Sequence, residues 1–253
     1  VSNTVCASEF SWSGHTQDDN GYLTLAVVGE KIRGSVSIPE SNFQFKGNLD
    51  NQAIFSSAPR VRPCGGCKMT QPTWRDPRPG SAAQTKHAWR KSDAGVIDLM
   101  VIYPTIVRKT IGSEGETLSE IKNAVAGANL CFRNSEVPLQ IRLVHTYETD
   151  YSPTGILVDD LNKTTLKDDG VMDEIHTLRD QYGADIVTLL VEDSDMGGLA
   201  NTLSYPSLSF AESAFNVCVW DQIGAPTFTL AHEIGHNMGC LHNREDASDS
   251  SQI

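Results

Sequence analysis

The sequence predicts an α/β fold, in which a domain built on a twisted mixed sheet follows a small antiparallel β region. The first pattern behind this prediction is a period-two alternation of apolar and polar residues within residues 1–58. The second is an alternation of short apolar runs with helical periodicity within residues 96–253. Between them, residues 59–95 hold five prolines among Arg, Lys, Gly and Ser, which is typical of a poorly structured linker. We therefore expect three parts with these boundaries.

The N-terminal part has the pattern of an antiparallel meander. Three segments alternate as strands do, namely residues 22–28, 31–38 and 42–46. Gly29-Glu30 separates the first two and is short enough for a hairpin turn, and Pro39 begins a second turn.

The C-terminal part alternates strands with helices. A capping box at Thr117-x-x-Glu120 precedes apolar residues at spacings of three and four, and a second amphipathic helix runs from Val171 to Tyr182. The predicted strands are residues 96–103, 139–144, 185–191 and 214–220. This order predicts a mixed sheet, with the last strand leading into a helix near residue 230.

The most informative motif is the run from His232 to His242, which reads H-E-x-x-H-x-x-G-x-x-H. On a helix, His232 and His236 project from one face a turn apart, which suits two ligands of one zinc ion. Gly239 can adopt a positive φ and turn the chain so that His242 supplies a third nitrogen. Three ligands leave one position open, as in catalytic zinc sites, and Glu233 can act as general base on a zinc-bound water.

This motif resembles that of the metzincin clan of zinc endopeptidases. The segments 169–173, 178–190, 198–200, 214–220 and 227–239 look most like the bacterial reprolysin-like (M12B-type) members. The resemblance implies a metzincin-like catalytic domain with one catalytic Zn²⁺ and with protein or peptide substrates. It also implies that Gly198, Leu199 and Ala200 lie in an edge strand that holds an extended substrate by strand addition. The N-terminal region resembles a family propeptide.

The chain departs from the family pattern at three places. Asn243 stands where many members have Asp after the third ligand, and Gly197 replaces a family Cys. Metzincins also carry a methionine-containing turn beyond the third His, and residues 243–253 contain no Met. We therefore expect a fragment or processed piece that lacks the C-terminal subdomain.

Cys64-Gly-Gly-Cys67 leaves two interpretations open. It can form a local disulfide or bridges to Cys6, as in exported proteins. Alternatively, the thiolate of Cys64 or Cys67 can occupy the open zinc position and keep the enzyme latent. Cys218 and Cys240 flank the zinc helix, and a further expectation is a bridge between them or to a Cys further downstream.

The charge of the chain is divided unevenly. Residues 1–91 hold eleven Lys and Arg against seven Asp and Glu, whereas residues 92–253 hold nine against twenty-five. Either the acidic surface simply keeps the protein soluble, or a basic leader, ending near Lys91, docks on the acidic domain and inhibits it. Nucleic-acid binding is excluded because the acidic part would repel phosphate. No apolar run is long enough for a membrane span, and six cysteines favour a secreted or periplasmic protein.

Three further interpretations follow from the sequence. Acidic pairs such as Asp159-Asp160 and Asp168-Asp169 allow calcium binding, but none has EF-hand spacing. A protease-like fold without activity, serving as a binding or adhesion module, is the alternative to a secreted zinc endopeptidase in its pro-form. The N-terminal β region is alternatively an independent carbohydrate- or protein-binding domain.

Overall fold

A computed structural model describes residues 9–17, 20–50, 53–64, 67–69, 95–192 and 194–242. For residues Cys67–Met69 the structure describes the backbone. The expectations that involve Cys6, Asn243 and the tail up to Ile253 lie outside the described residues.

The N-terminal part forms a five-stranded antiparallel sheet. Its strands follow one another in sequence order: β1 (Glu9–His15), β2 (Tyr22–Val28), β3 (Lys31–Ile38), β4 (Ser41–Asn48) and β5 (Ile54–Ser57). The three predicted strands are β2, β3 and β4. The outer strands β1 and β5 escaped prediction because apolar side chains such as Trp12 and Phe55 are exposed there, so burial imposes no strict alternation on them.

The second sheet is mixed and has six strands. In chain order they are β6 (Cys67–Met69), β7 (Gly95–Pro104), β8 (Leu139–Thr149), β9 (Ile186–Val191), β10 (Gly198–Thr202) and β11 (Phe215–Val219). In space their order is β6-β10-β11-β9-β7-β8, and every neighbouring pair is parallel except β10 with β11. The mixed α/β fold is thus confirmed. The linker, however, was predicted to lack structure, and its residues Cys67–Met69 instead form the strand next to β10.

Five α-helices complete the described part of the chain. They are α1 (Thr105–Ile111), α2 (Glu114–Asn134), α3 (Leu157–Thr165), α4 (Glu174–Tyr182) and α5 (Thr229–Asn237). The predicted capping box at Thr117 is wrong, because α2 begins one turn earlier. Ser113 caps it, and its Oγ accepts a hydrogen bond from the Glu116 amide at 3.3 Å. Among the described residues, no helix has the length and apolar character needed to cross a membrane.

Helix α2 lies between the two sheets and joins them. It contacts β1, β2 and β3 on one side and β8 and α5 on the other. Its apolar residues, among them Ile121 and Ala128, belong to the core that also contains Leu230 and Ile234 of α5. The fold therefore anchors α5 against the same helix on which the N-terminal sheet rests.

Candidate metal centre

Helix α5 and the turn after it bring three imidazoles together. His232 Nε2 lies 3.0 Å from His236 Nε2 and 3.2 Å from His242 Nε2. Gly239 adopts φ +93° just after the helix and makes this return possible. A Cβ at Gly239 would also lie 2.9 Å from the Leu203 carbonyl oxygen, so a larger residue would have to displace the backbone.

Cys64 adds a fourth donor from a distant part of the chain. Its Sγ lies 3.6 Å from His236 Nε2 and 3.5 Å from Glu233 Oε1. The cysteine sulfur and the ring nitrogens of His232, His236 and His242 all lie within 4.8 Å of one another. Cys64, one of the two cysteines named for this position, thus has its thiol beside the histidines.

The donor set fits zinc in both chemistry and spacing. Three imidazole nitrogens and one thiolate are ordinary zinc ligands. With bonds of about 2.0–2.1 Å to nitrogen and about 2.3 Å to sulfur, a tetrahedral site separates two nitrogens by about 3.4 Å and a nitrogen from sulfur by about 3.6 Å. The measured N···N separations of 3.0 and 3.2 Å and the S···N separation of 3.6 Å lie close to these values.

The histidines are held in the state that a metal requires. His236 Nδ1 lies 2.7 Å from the Cys240 carbonyl oxygen, which fixes the ring and leaves Nε2 for a metal. Desolvation in the cleft lowers the pKa of His232 to about 4 although part of its ring is exposed, and the neighbouring His236 and His242 lower it further. Desolvation also lowers the pKa of His236. Both rings are therefore neutral at pH 7, as metal ligands must be.

Glu233 is buried beside the histidines without contributing to their cluster. Burial raises the pKa of its carboxyl to about 8, against the effect of the hydrogen bond from Cys64. Its Oε2 atom is buried and has no hydrogen-bond partner among the described residues. A Cβ at Gly198 would lie 2.7 Å from Glu233 Oε1, so β10 passes this carboxylate at a distance that glycine permits. The carboxylate therefore has capacity for a further polar group in the cleft.

The expected substrate strand is covered in this structure. Gly198, Leu199 and Ala200 lie in β10, and Ala200 is paired with Cys67 of β6 in a parallel register. Just before β10, the Gly197 amide donates a hydrogen bond to the Pro63 carbonyl at 2.7 Å. The segment on either side of Cys64 therefore pairs with β10 and with the residue that precedes it.

Two other expectations are wrong or lack support. Cys64, Cys218 and Cys240 are free thiols, so the Cys64–Cys67 and Cys218–Cys240 bridges are not formed. For calcium, two of the acidic residues named above have protein partners. Asp160 accepts hydrogen bonds from Tyr151 and Thr154, and Asp169 pairs with Lys163 at 2.7 Å.

One residue that positions the site escaped the sequence analysis. Asn237, the last residue of α5, donates to the carbonyls of Asn201 and Phe215 at 2.8 and 3.0 Å and accepts from Asn216 Nδ2 at 2.8 Å. It thereby ties the helix to β10 and β11. The sequence signal for this role was its position, since Asn237 is an amide residue that directly follows the predicted ligand His236 on a helix with an apolar face.

Comparison with known proteins agrees with this geometry. The family described as metallo-peptidase family M12 matches residues 94–253, which is more than half of the chain. A peptidyl-Asp metalloendopeptidase of Xanthomonas campestris pv. campestris is 35% identical over 129 residues, which cover 51% of this chain and 30% of the relative. One from Stenotrophomonas maltophilia is 36% identical over 137 residues, covering 54% and 31%. The chain spans about a third of the length of these curated relatives.

The fold also has a solved counterpart. The crystal structure of metalloproteinase-II from Bacteroides fragilis aligns with a TM-score of 0.55 at 12% identity and covers 96% of this chain and 75% of that one. This likeness concerns the fold, and the match of residues 94–253 concerns the family. The chain belongs to metallo-peptidase family M12.

Proposed function

We propose that the protein is a zinc-dependent endopeptidase whose metal is held by His232, His236 and His242 and whose general base is Glu233. The observation that carries this proposal is the convergence of three Nε2 atoms beside a buried carboxylate. Family membership supports the same class of reaction. The relatives' names specify peptidyl-Asp bonds, which makes Asp-containing peptides the first reference substrates for this chain.

The roles of the residues follow from their positions. His232, His236 and His242 would hold a zinc ion, whose chemistry there would be Lewis acidity toward the scissile carbonyl and toward a water molecule near neutral pH. Glu233, poised beside the three imidazoles, takes the proton from the attacking water and passes it to the leaving amine. Strand β10 aligns the peptide through its backbone amides and carbonyls, because an extended chain can pair with it as β6 does.

We further propose that this arrangement is the latent form, with the Cys64 thiolate as the fourth zinc ligand. The spacing of Sγ from His236 Nε2 supports this role. The same thiol lies next to Glu233 and stands where the water would have to bind. Removal of Cys64 from the centre is then the activating event.

Residues up to about Lys91 are, in this proposal, the inhibitory leader. Its charged side chains pair with the catalytic part at several points, including Arg33 with Glu120 at 3.4 Å and Arg62 with Asp221 at 3.6 Å. A secreted or periplasmic location is consistent with such latency, because an enzyme that matures after export spares the proteins of its own cell. The N-terminal sheet serves here to place the linker in the cleft and not as an independent binding domain.

Metal analysis and peptide hydrolysis test the proposal. We expect one zinc per full-length protein, and loss of that zinc in the His232→Ala/His236→Ala variant, whereas His145→Ala, which lies elsewhere on β8, should retain it. Stoichiometric zinc in the double variant would disprove the ligand assignment. A zinc-loaded, leader-free enzyme that hydrolyses no peptide would favour the inactive binding module.

The leader is tested by adding it in trans to the activated full-length enzyme. We expect inhibition at micromolar leader, weakened by salt in so far as the ion pairs hold it. No inhibition at low or high salt would leave the N-terminal region as a separate binding domain.

A further inference from the structure

Arg62, in the proposed leader, contacts Asp221 and Gln222. Arg62, two residues before Cys64, directs its guanidinium to Asp221, with Nη2 at 3.6 Å from Oδ2. Its backbone amide donates to Gln222 Oε1 at 3.1 Å. The side chains of Arg62 and Asp221 are 28% and 27% exposed, so most of this ion pair is withdrawn from water.

The leader around Arg62 runs beside β10, the strand that we propose aligns the substrate. The Pro63 carbonyl accepts a hydrogen bond from the Gly197 amide, and the Cys64 thiol contacts His236. Residues Cys67–Met69 then pair with β10. A cavity of about 510 Å³ opens beside Val61–Cys64 and is lined on the enzyme side by Gly198, Thr229 and Glu233 among others. Leader residues Val61–Cys64 therefore line the same cavity as His232 and His242.

The groups that receive Arg62 are held by the catalytic part itself. Asp221 and Gln222 lie in the 3-10 turn Trp220–Gln222, between β11 and α5, and Gln222 is fully buried. Gln222 Nε2 donates to Asp221 Oδ1 at 3.3 Å, and the Gln222 carbonyl accepts from Thr227 Oγ1. Both acceptors thus stay in place when the leader leaves, and each then lacks the donor that Arg62 supplied.

The electrostatic surroundings favour a cation at this position. Burial raises the pKa of the nearby Glu120 carboxyl, Arg33 opposes this, and the charge of Asp221 raises the pKa further. Arg33 belongs to the leader and leaves with it, so the departure of the leader uncovers two neighbouring carboxyl groups. A cationic side chain is attracted there, whereas an acidic one is repelled.

We propose that Asp221 and Gln222 form a substrate subsite that selects an arginine or lysine side chain within two residues of the scissile bond. The inference rests on the proposed endopeptidase function and adds the substrate class. Asp221 neutralises the cation, and Gln222 binds the peptide amide of the same residue. Arg62 is the intramolecular occupant of this subsite in the latent form.

The test compares matched peptides with the activated full-length enzyme. The peptides carry Arg, citrulline, Ala or Asp at each of the two positions on either side of the cleaved bond. At one position we expect kcat/KM for Arg to exceed that for its uncharged isostere citrulline by about tenfold, which corresponds to about 1.4 kcal/mol. Asp221→Asn should bring this ratio close to one, while Asp150→Asn, at an exposed acid on another loop, should keep it.

A second readout needs no catalysis. In the intact latent protein, Arg62→Ala and Asp221→Asn should each speed the reaction of Cys64 with a thiol reagent several-fold, and the double variant should add nothing to the larger single effect. Additive effects would show that the two side chains do not act as a pair.

The outcomes separate the two proposals. Zinc-dependent cleavage with equal rates for Arg and citrulline, or with a preference for Asp, overturns the subsite and leaves the endopeptidase standing. A zinc-loaded enzyme that cleaves none of the peptides overturns the endopeptidase, and the subsite falls with it.

Discussion

Cys64 Sγ lies 3.5 Å from Glu233 Oε1, so one thiol contacts both the proposed general base and, through His236, the proposed ligand cluster. These residues are 169 positions apart in the sequence. A single side chain can thereby block two requirements of catalysis, the open metal position and the access of water to Glu233.

Replacing Cys64 tests this block directly. Cys64→Ser removes the thiolate but keeps a side chain of similar size, and a hydroxyl is a weaker zinc ligand. We expect peptide hydrolysis by the uncleaved protein to rise about tenfold or more. Cys131→Ser, on α2, is the matched control and should leave the protein latent. Unchanged latency in Cys64→Ser would mean that docking of the leader alone closes the cleft.

Glu233→Gln separates metal binding from proton transfer. The amide keeps the shape of the side chain but cannot accept a proton, so zinc should stay bound while hydrolysis by the activated enzyme falls about 10²–10⁴-fold. Zinc content and turnover should be measured on the same sample. Turnover equal to that of the wild type would show that another group activates the water.

Asn237→Ala should loosen the zinc helix from the sheet. The change removes three hydrogen bonds and leaves the buried carbonyls of Asn201 and Phe215 without this donor. We expect a loss of about 3 kcal/mol in the free energy of unfolding, from the desolvation cost of unsatisfied groups. Denaturant titration checks it, with Asn134→Ala, at the exposed last residue of α2, as a control that should change stability by less than about 0.5 kcal/mol. Equal stability of the two variants would contradict the tie.

The parts of this structure that sequence predicts are those that local spacing determines. The interval of four residues between His232 and His236 puts both on one face of a helix. Gly239 predicts the turn that brings His242 back to them. Strands β7 and β9 were predictable for a similar reason, because buried parallel strands are nearly continuous apolar runs.

The parts that escaped prediction depend on distant contacts or on competing signals. The position of the Cys64 thiol depends on contacts with α5, far along the chain, which spacing cannot reveal. Strand β6 exists through its pairing with β10, and its three residues carry no pattern of their own. Helix α3 (Leu157–Thr165) is polar and lacks a side-chain cap. At α2 the signature S/T-x-x-E occurs twice, at Ser113 and at Thr117, and packing selects the first.

Ionisation of Tyr103 should lower the stability of the folded protein at alkaline pH. Burial raises the pKa of this core phenol from 10.0 to about 12, with the charge of Glu148 adding to the shift. The pKa of the phenol is higher in the folded state than in the unfolded state. Its contribution to the free energy of unfolding is therefore fully present below pH 10 and is lost as the pH rises to 12. Two pKa units correspond to about 2–3 kcal/mol.

Tyr103→Phe should therefore flatten the fall in the free energy of unfolding between pH 10 and pH 12. Denaturant titrations at pH 8, 10 and 11.5 measure this slope for the wild type and the variant. Tyr205→Phe, at a half-exposed tyrosine, is the control and should follow the wild type. Parallel curves for wild type and Tyr103→Phe would show that the phenol ionises without cost to the fold.

The ion pair between Arg33 and Glu120 joins the N-terminal sheet to α2. Their ion pair joins Nη1 to Oε2 at 3.4 Å, with side chains only 11% and 9% exposed. Arg33→Met leaves a buried carboxylate without its cation, which should cost about 3–5 kcal/mol, whereas Arg33→Met/Glu120→Leu removes both charges and should recover most of that loss. The more exposed pair Lys31–Glu116, with side chains 32% and 28% exposed, is the matched control, and Lys31→Met should cost less than about 1 kcal/mol. Limited proteolysis of the linker and denaturant unfolding of the intact chain measure these effects together. If the double variant is as unstable as Arg33→Met, the sheet is held by packing against α2 and the ion pair has no special part in holding the leader.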